Sequence, residues 1–261
     1  MAGRIPARAA RPLGALLALL AVMAITASAA SAATIYNNRA TPKPVNLVSL
    51  GFEATSTSEF GGLVAFAGTD RSSPTVTVKM SSWACQNLLG GVNCATVPGS
   101  TFAWPITLNV YERNGSEPGA LIATKTETVN VPYRPTANNR HCTLNSEGDV
   151  GFGGPCNHGL AFKVPFVLTG VTLPNEAIIS IAYNTTDYGA APTHARDIGE
   201  DSLNLGLTEP PETPSVGTDP LPEDAFIAST YYPGVGGPGV FSNQAGWEGY
   251  QPVFKVTAKA H

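Results

Sequence analysis

The stretch from Phe102 to Val131 constrains the fold most, because it predicts two strands joined by a single turn. Apolar and polar residues alternate over 106–111, a period of two that places one apolar row on one face of a strand. The alternation stops between Arg113 and Gly119, where Asn-Gly and Pro-Gly pairs favour turns. The chain can then return antiparallel from Ala120, which predicts a long hairpin with a loop at its tip.

The rest of the chain repeats this alternating pattern in short runs. No window outside the N-terminal segment keeps apolar residues at helical spacing for long enough to predict a helix. Pro165 predicts an edge strand or a bulge, and a proline-rich loop is predicted over 209–224. We therefore expect an all-β protein, an antiparallel two-sheet β-sandwich of jelly-roll type with nine or ten strands. Further strands are predicted at 34–38, 63–67, 76–80, 160–168, 177–183, 203–207, 225–230 and 253–258.

The N-terminus has the features of a secretory signal peptide over residues 1–33. Three arginines precede an apolar run from Leu13 to Ile25, and small residues follow up to Ala33. The apolar run is short for a membrane span, although a retained anchor is the alternative interpretation. We expect a secreted, extracellular protein without a stable membrane anchor, in which residues 34–261 form a single domain.

Charge argues against two classes of partner. Removal of residues 1–33 leaves 12 basic and 19 acidic residues, a formal charge of −7. The basic residues are scattered singly along the sequence, whereas nucleic-acid backbones and anionic membranes are bound by clustered Lys and Arg. We therefore expect neither a nucleic-acid partner nor a polybasic membrane-binding face.

Four cysteines follow the signal segment, and an even number in an exported chain predicts disulfides. Of the three possible connectivities, we favour the local pairs Cys85–Cys94 and Cys142–Cys156, because each pair encloses a segment rich in Gly and Asn. Each bond would staple a long loop and contribute roughly 3 kcal/mol. A zinc site is the competing interpretation, but the spacings lack the short Cys-x2-4-Cys pair that structural zinc prefers.

The central hairpin also carries a resemblance. The segment 106–124, with its Pro-Gly-Ala-Leu turn, and the later Leu-Thr-Gly-Val-Thr-Leu-Pro run at 168–174 resemble exported bacterial β-sandwich domains of the choice-of-anchor type. The beginning of the mature chain at Ile35 and its end from Gly249 resemble uncharacterised exported bacterial proteins. The resemblance implies a secreted or surface jelly-roll module, and it transfers no catalytic residue.

Polar candidates for chemistry are few. No Gly-x-Ser-x-Gly signature of a serine hydrolase is present. A metal site near His141 and His158 has no third ligand indicated by spacing, so two exposed loop histidines are the favoured interpretation. Acidic side chains before the strand at 203–207 are typical of calcium-binding loops, although a solvated acidic loop is the commoner case. These acidic residues are Asp187, Asp197, Glu200 and Asp201; with Glu223 and Asp224 they also offer pairs for a glycosidase.

Aromatic residues near the C-terminus give the stronger indication of a binding site. Tyr231 and Tyr232 precede a glycine-rich run, and Trp247 and Tyr250 lie among Gln, Glu and Gly. Exposed flat rings stack on the apolar faces of sugars, while neighbouring amides and carboxylates bind hydroxyl groups. The alternative is that Trp247 belongs to the core of the sandwich.

Together these features predict a secreted, non-catalytic β-sandwich protein that binds glycan or another cell-surface polymer. A structural or adhesive protein of the cell envelope, with a protein partner, is the first alternative. An extracellular hydrolase is the second. Exposed aromatic rings in a groove would favour glycan binding, and a wide apolar patch would favour the structural or adhesive protein. Converging carboxylates with raised pKa values would favour the hydrolase.

Overall fold

The computed structural model describes residues 1, 3, 31–40, 47–86, 94–136, 150–151, 156–157, 159–194 and 198–260, with the backbone alone at 150–151 and 156–157. The chain divides into two compact units, residues 1–30 and residues 31–261, and all the described strands belong to the second unit. The predicted signal peptide lies outside the described residues except for positions 1, 3 and 31–33. Among the described residues, no helix has the length and apolar character needed to cross a membrane.

Strands dominate the described ranges, as the alternating pattern predicts, and one short 3-10 helix, Gly199–Ser202, accompanies them. The strands are β1 (Ala33–Asn37), β2 (Ser49–Gly51), β3 (Thr57–Ala65), β4 (Ser72–Ser82), β5 (Thr101–Asn114), β6 (Glu117–Pro132), β7 (Val150–Gly151), β8 (Cys156–Asn157), β9 (Leu160–Val167), β10 (Glu176–Ala182), β11 (Leu203–Gly206), β12 (Asp224–Ser229), β13 (Ser242–Ala245) and β14 (Phe254–Lys259).

In the described part of the chain, these strands form two six-stranded antiparallel sheets. The first sheet runs β1-β14-β4-β11-β2, and β9 pairs with the other edge of β4. The second sheet runs β13-β12-β3-β10-β5-β6, and β7 and β8 form a separate two-stranded ribbon. Buried side chains from both large sheets join in one hydrophobic cluster. The prediction of an all-β protein built as an antiparallel two-sheet sandwich is confirmed, and its jelly-roll type stays a prediction.

Alternation along β4 shows how the sequence builds this core. Val76, Val78 and Met80 are fully buried, whereas the Thr and Lys residues between them are half-buried on the outward face. The same strand is paired along both edges, so its apolar row lies in the middle of the first sheet. Burying such a row contributes about 25 cal/mol per Å² of apolar surface, which makes β4 a central stabilising element.

Pro165 lies where its chemistry allows. It sits in β9 opposite Thr77 of β4, and within the described residues β9 pairs with no other strand of the sheet. A proline has no N–H to donate to a second neighbour, so an edge strand tolerates it. The predicted edge position is confirmed.

The central hairpin is present, but its predicted loop was too long. β5 continues to Asn114 and β6 begins at Glu117, and these two residues are paired, so only Gly115 and Ser116 form the turn. Gly115 has φ of +65°, the conformation that glycine adopts without strain. The sequence misleads because Pro118 and Gly119 resemble turn residues, yet they lie inside β6 next to a register shift near Arg113.

The first predicted disulfide is confirmed. Cys85 and Cys94 are bonded, with a Cα–Cα distance of 5.5 Å, and the bond closes a loop after β4. This bond removes the zinc interpretation for these two cysteines. The second predicted pair stays a prediction, because Cys142 and the side chain of Cys156 lie outside the described residues.

The proline-rich stretch predicted at 209–224 is a surface connection between the two sheets, and its last residue already belongs to β12. The amide of Asn37 donates to Val216, at 2.9 Å, and Ala65 and Thr218 exchange backbone hydrogen bonds of 2.9 and 3.0 Å. These bonds tie the connection to β1 of the first sheet and β3 of the second. The proline-rich stretch is therefore a surface loop, fixed by backbone hydrogen bonds within the second compact unit.

Candidate functional site

Three of the four predicted ligand-binding aromatics lie together in an edge-to-face chain. The ring centroids of Tyr231 and Tyr232 are 4.6 Å apart, and those of Tyr232 and Trp247 are 5.6 Å apart. The chain ends on Phe60 of β3, whose ring lies 4.7 Å from Trp247 and is fully buried. We call Tyr231, Tyr232 and Trp247 the aromatic cluster. It forms a continuous path of rings from the core to solvent.

Hydrogen bonds at the end of β12 fix the two tyrosines. The Ser229 hydroxyl accepts from the backbone amides of Tyr231, at 3.0 Å, and Tyr232, at 2.8 Å. The same hydroxyl donates to the carbonyl of Thr55 at 2.8 Å, which anchors the turn to the segment before β3. The Ser229 side chain therefore holds both tyrosine backbones in place.

Trp247 is positioned by a second turn. Its backbone amide donates to the Glu223 carbonyl at 2.9 Å, and its indole N–H donates to Oε1 of Gln244 at 3.3 Å. Gln244 belongs to β13, the edge strand of the second sheet. A side-chain amide thus lies beside the indole ring, the pairing of flat ring and hydrogen-bonding group that sugars require.

Exposure rises along the aromatic cluster. Trp247 and Tyr232 are half-buried and pack against the core, whereas Tyr231 is 65% exposed. The two interpretations of Trp247, as core residue or as exposed platform, therefore both describe part of this ring. Tyr250 is 37% exposed and donates its amide to the Trp247 carbonyl at 2.9 Å, but its ring meets no other described aromatic ring. The ligand role of all four residues stays a prediction.

A groove on the outward face of the second sheet, which holds a half-buried carboxylate network, was not predicted from the sequence. It has a volume of about 440 Å³ and is lined in part by Glu59, Asn109 and Thr107. Oε1 of Glu59 accepts hydrogen bonds from Ser180 at 2.5 Å, Asn109 at 2.9 Å and Tyr111 at 3.0 Å. Three donors on one oxygen hold this carboxylate rigidly in the groove. Because its partners come from two other strands, β5 and β10, the local sequence around Glu59 does not reveal it.

The acidic segment considered for calcium is only partly brought together. Both carboxylate oxygens of Asp201 accept from Thr186, one from the amide at 2.8 Å and one from the hydroxyl. Glu200 is 2% exposed, and burial raises its pKa, with further contributions from the charges of Asp201 and Glu53. Burial likewise raises the pKa of Glu53. Among the described residues, no group of three or more His, Cys, Asp or Glu side chains could hold a metal ion.

The remaining polar candidates do not assemble a reaction centre from described residues. Asp224 accepts from the Asn243 side chain at 3.0 Å, and the Glu223 backbone carbonyl accepts from Gly246 and Trp247. His141, His158 and Asp197 lie outside the described residues. The hydrolase interpretation therefore stays a prediction.

Asp219 in the proline-rich loop is the carboxylate with the most strongly shifted titration. It lines a cavity of about 270 Å³ together with Tyr36 and Gln251. Burial raises the pKa of Asp219 to about 6, and the negative charge of Asp224 contributes to the increase. The backbone amide of Leu221 donates to Oδ1 of Asp219 at 3.0 Å, and this hydrogen bond acts in the opposite direction and lowers the pKa. Asp219 ionises reluctantly when the protein is folded and readily when it is unfolded.

This difference predicts a pH dependence of stability. Well below pH 4, Asp219 is protonated in both states and costs nothing. Between about pH 4 and 6 the unfolded chain ionises while the folded protein stays mostly protonated, so the folded state loses stability across this window, and above about pH 6 the loss is complete. Asp219→Asn keeps the Oδ1 acceptor and removes the charge. We expect it to raise the free energy of unfolding by about 2 kcal/mol at pH 8, after allowance for partial solvent screening, and by only about 0.5 kcal/mol at pH 4, where about half of the unfolded chains are ionised at this carboxylate.

Urea denaturation at both pH values measures this difference. Glu112→Gln, at an exposed carboxylate on β5, is the matched control and should behave like the wild type at both pH values. An equal stabilisation by Asp219→Asn at pH 4 and pH 8 would show that the effect is not ionisation.

Comparison with protein-family models, with curated proteins and with solved structures finds no match to this chain. The fold defines it as an antiparallel β-sandwich, and the resemblance to choice-of-anchor domains stays a prediction. Its function must therefore be argued from the surfaces of the sandwich itself.

Proposed function

We propose that this protein is an exported, non-catalytic β-sandwich module that binds a carbohydrate polymer through the aromatic cluster. The observation that carries the proposal is the exposed ring of Tyr231, joined through Tyr232 and Trp247 to the buried ring of Phe60. An exposed ring on a rigid support suits a surface that stacks on sugars.

The aromatic cluster is already ordered in the free protein, and this preorganisation favours binding. A tyrosine ring offers a large apolar face with few rotatable bonds, so ordering it on binding costs little entropy. The Ser229 hydroxyl already fixes the backbones of Tyr231 and Tyr232, and ring contacts restrict the side chains. On β13, the side-chain amide of Gln244 lies beside the indole of Trp247, where its remaining hydrogen-bonding groups can bind sugar hydroxyls. The arrangement therefore combines stacking with hydrogen bonding.

One observation favours the alternative, an adhesive or structural protein with a protein partner. Val235 and Val240, in the glycine-rich segment after Tyr232, are exposed by 76% and 48%. The amide of Gly239 donates to the Ser229 carbonyl at 3.0 Å, which draws this segment back toward the aromatic cluster. Exposed aliphatic side chains beside an exposed tyrosine are typical of a protein-binding patch.

The first test is polysaccharide binding by the exported protein and its Tyr231→Ala variant. We expect affinity electrophoresis in gels that contain neutral polysaccharides to show retardation of the wild type. Tyr231→Ala should weaken binding at least about 10-fold, equivalent to about 1.4 kcal/mol, because the stacking face is lost. Its melting temperature should change by less than about 3 °C, since an exposed ring contributes little packing.

Leu121→Ala is the matched control, because Leu121 is also a large exposed apolar residue but lies on β6. It should bind like the wild type. The double variant Val235→Ser with Val240→Ser removes the aliphatic side chains that favour the protein-binding alternative. It should leave polysaccharide binding intact. Absence of polysaccharide binding by the wild type, or equal loss in Leu121→Ala, would contradict the proposal.

A further inference from the structure

The outward face of the first sheet carries a groove of about 320 Å³ that is separate from the aromatic cluster. Its walls come from β1, β4, β9 and β14 and from the start of the proline-rich loop. We call it the basic groove, because four cationic side chains and only two carboxylates line it. These residues are Arg39, Lys79, Lys163, Lys255, Glu209 and Glu212.

The register of the sheet concentrates the positive charge. Lys79 of β4 stands directly opposite Lys163 of β9, and Lys255 of β14 stands opposite Thr77, two residues along β4. All three lysines therefore share the outward face. Like charges directly opposite one another on a sheet destabilise it. Within the part of the chain that the structure describes, neither Lys163 nor Lys255 forms an ion pair.

Arg39 adds a guanidinium with spare hydrogen-bonding capacity. One terminal nitrogen donates to the Thr77 carbonyl at 3.5 Å, a long contact, and the buried Nε has no hydrogen-bond partner. Burial lowers the pKa of this group, which reflects a charge kept partly out of water. A guanidinium in this state is suited to receive a carboxylate, since its planar donors match the two oxygens.

The hydrogen-bond acceptors in the basic groove restrict the class of ligand further. Glu209 and Glu212 are exposed, so a densely charged polyanion would meet repulsion from these two carboxylates. The side chain of Asn37 donates to Ser215 at 2.9 Å, but its Oδ1 is buried without a partner. Two carboxylates and an unpaired amide oxygen are acceptors for hydroxyl groups. The groove thus offers cationic side chains that can bind carboxylates and oxygen acceptors that can bind hydroxyl groups. An acidic sugar carries both of these groups.

We propose that the basic groove binds a carboxylated saccharide of the uronic acid type. Lys163, Lys255 and Arg39 hold its carboxylates, and Asn37, Glu209 and Glu212 accept its hydroxyls. This site goes beyond the function proposed for the aromatic cluster, because the two surfaces share no residue. Saccharide binding in the basic groove does not depend on polysaccharide binding at the aromatic cluster, and the reverse also holds.

The test uses calorimetry with the exported protein and tetragalacturonate as the probe. We expect binding in 25 mM salt that weakens in 150 mM salt, because screening lowers the attraction between exposed charges. The double variant Lys163→Gln with Lys255→Gln should weaken binding at least about 10-fold. The single variant Lys163→Gln, at an exposed position where folding is not at risk, should show a smaller loss.

The matched control is Lys125→Gln with Lys259→Gln, which removes the same charge from exposed lysines outside the basic groove. It should change tetragalacturonate affinity less than about 2-fold. Tyr231→Ala should leave it unchanged, so failure of this site and failure of the aromatic cluster are distinguishable. A neutral glucose tetramer should not bind in the basic groove.

Three results would overturn the proposal. The first is no tetragalacturonate binding by the wild type in 25 mM salt. The second is equal loss in the groove variant and the control variant, which indicates attraction to net charge alone. The third is tighter binding of inorganic polyphosphate or a single-stranded oligonucleotide than of tetragalacturonate through the same lysines, which assigns the basic groove to phosphate.

Discussion

Phe60→Ala is expected to lower the free energy of unfolding by about 3–5 kcal/mol, the range for truncation of a fully buried aromatic residue. Phe60 lies in β3 and is paired on one side with Ile181 and on the other with Ile227, both fully buried. A paired strand cannot move inward to fill the space that the ring leaves. The lost contacts therefore persist as a cavity, which adds to the loss of apolar burial.

The measurement is guanidinium denaturation followed by tryptophan fluorescence and circular dichroism. Because the Phe60 ring lies 4.7 Å from Trp247, the native emission of the variant should also shift to the red as water reaches the indole. Tyr231→Ala is the control at the exposed end of the same ring chain, and we expect it to cost less than about 1 kcal/mol. A loss below about 1.5 kcal/mol for Phe60→Ala would show that the aromatic cluster is not anchored in the core.

The sequence predicts those strands whose apolar row is regular. In β4 and β10, β-branched and other large apolar residues occupy alternate positions, and the structure buries those positions completely. The edge position of β9 follows from one residue, Pro165, because a missing N–H restricts where a strand can lie. Local chemistry determines these elements, so the sequence is sufficient to find them.

Other strands depend on contacts that the local sequence does not show. β3 begins at Thr57, but only its end was predicted, because Gly61 and Gly62 lower strand propensity. A Cβ at Gly61 would lie 2.7 Å from the Ile179 carbonyl oxygen, and one at Gly62 would lie 2.3 Å from Oε1 of Gln251. The glycines serve close packing in this sandwich. β2 and β13 are short, and neighbouring strands define them.

The two candidate binding surfaces also differ in how much of them the local sequence shows. The aromatic residues of the cluster were found because rings among polar neighbours are conspicuous in a sequence, but their contact with Phe60 required the fold. The lysines of the basic groove look scattered along the chain. Antiparallel pairing brings Lys79 and Lys163 face to face, although 84 positions separate their numbers. A charge cluster built across strands is not visible as a run of basic residues.

Arg71→Met is expected to lower the free energy of unfolding by about 3 kcal/mol, because a buried guanidinium holds the turn between β3 and β4. Arg71 donates to the carbonyls of Phe66, Gly68 and Asp70, at 3.1, 3.0 and 2.8 Å. Its Nε also donates to the Pro174 carbonyl at 3.1 Å, which joins this turn to the segment before β10. Methionine fills similar space but leaves these carbonyls without their donor.

Arg71→Lys separates hydrogen bonding from charge. An ammonium keeps the charge but has three donors on one atom, so it cannot reach the turn and Pro174 with the geometry of the planar guanidinium. We expect Lys to recover only about a third to a half of the stability lost in the Met variant. Guanidinium denaturation measures both variants, and hydrogen exchange of the amides in 66–71 and 173–175 should accelerate in both. Equal stability of the Met and wild-type proteins would mean that water replaces the guanidinium at these carbonyls without cost, and that the turn is held by its backbone alone.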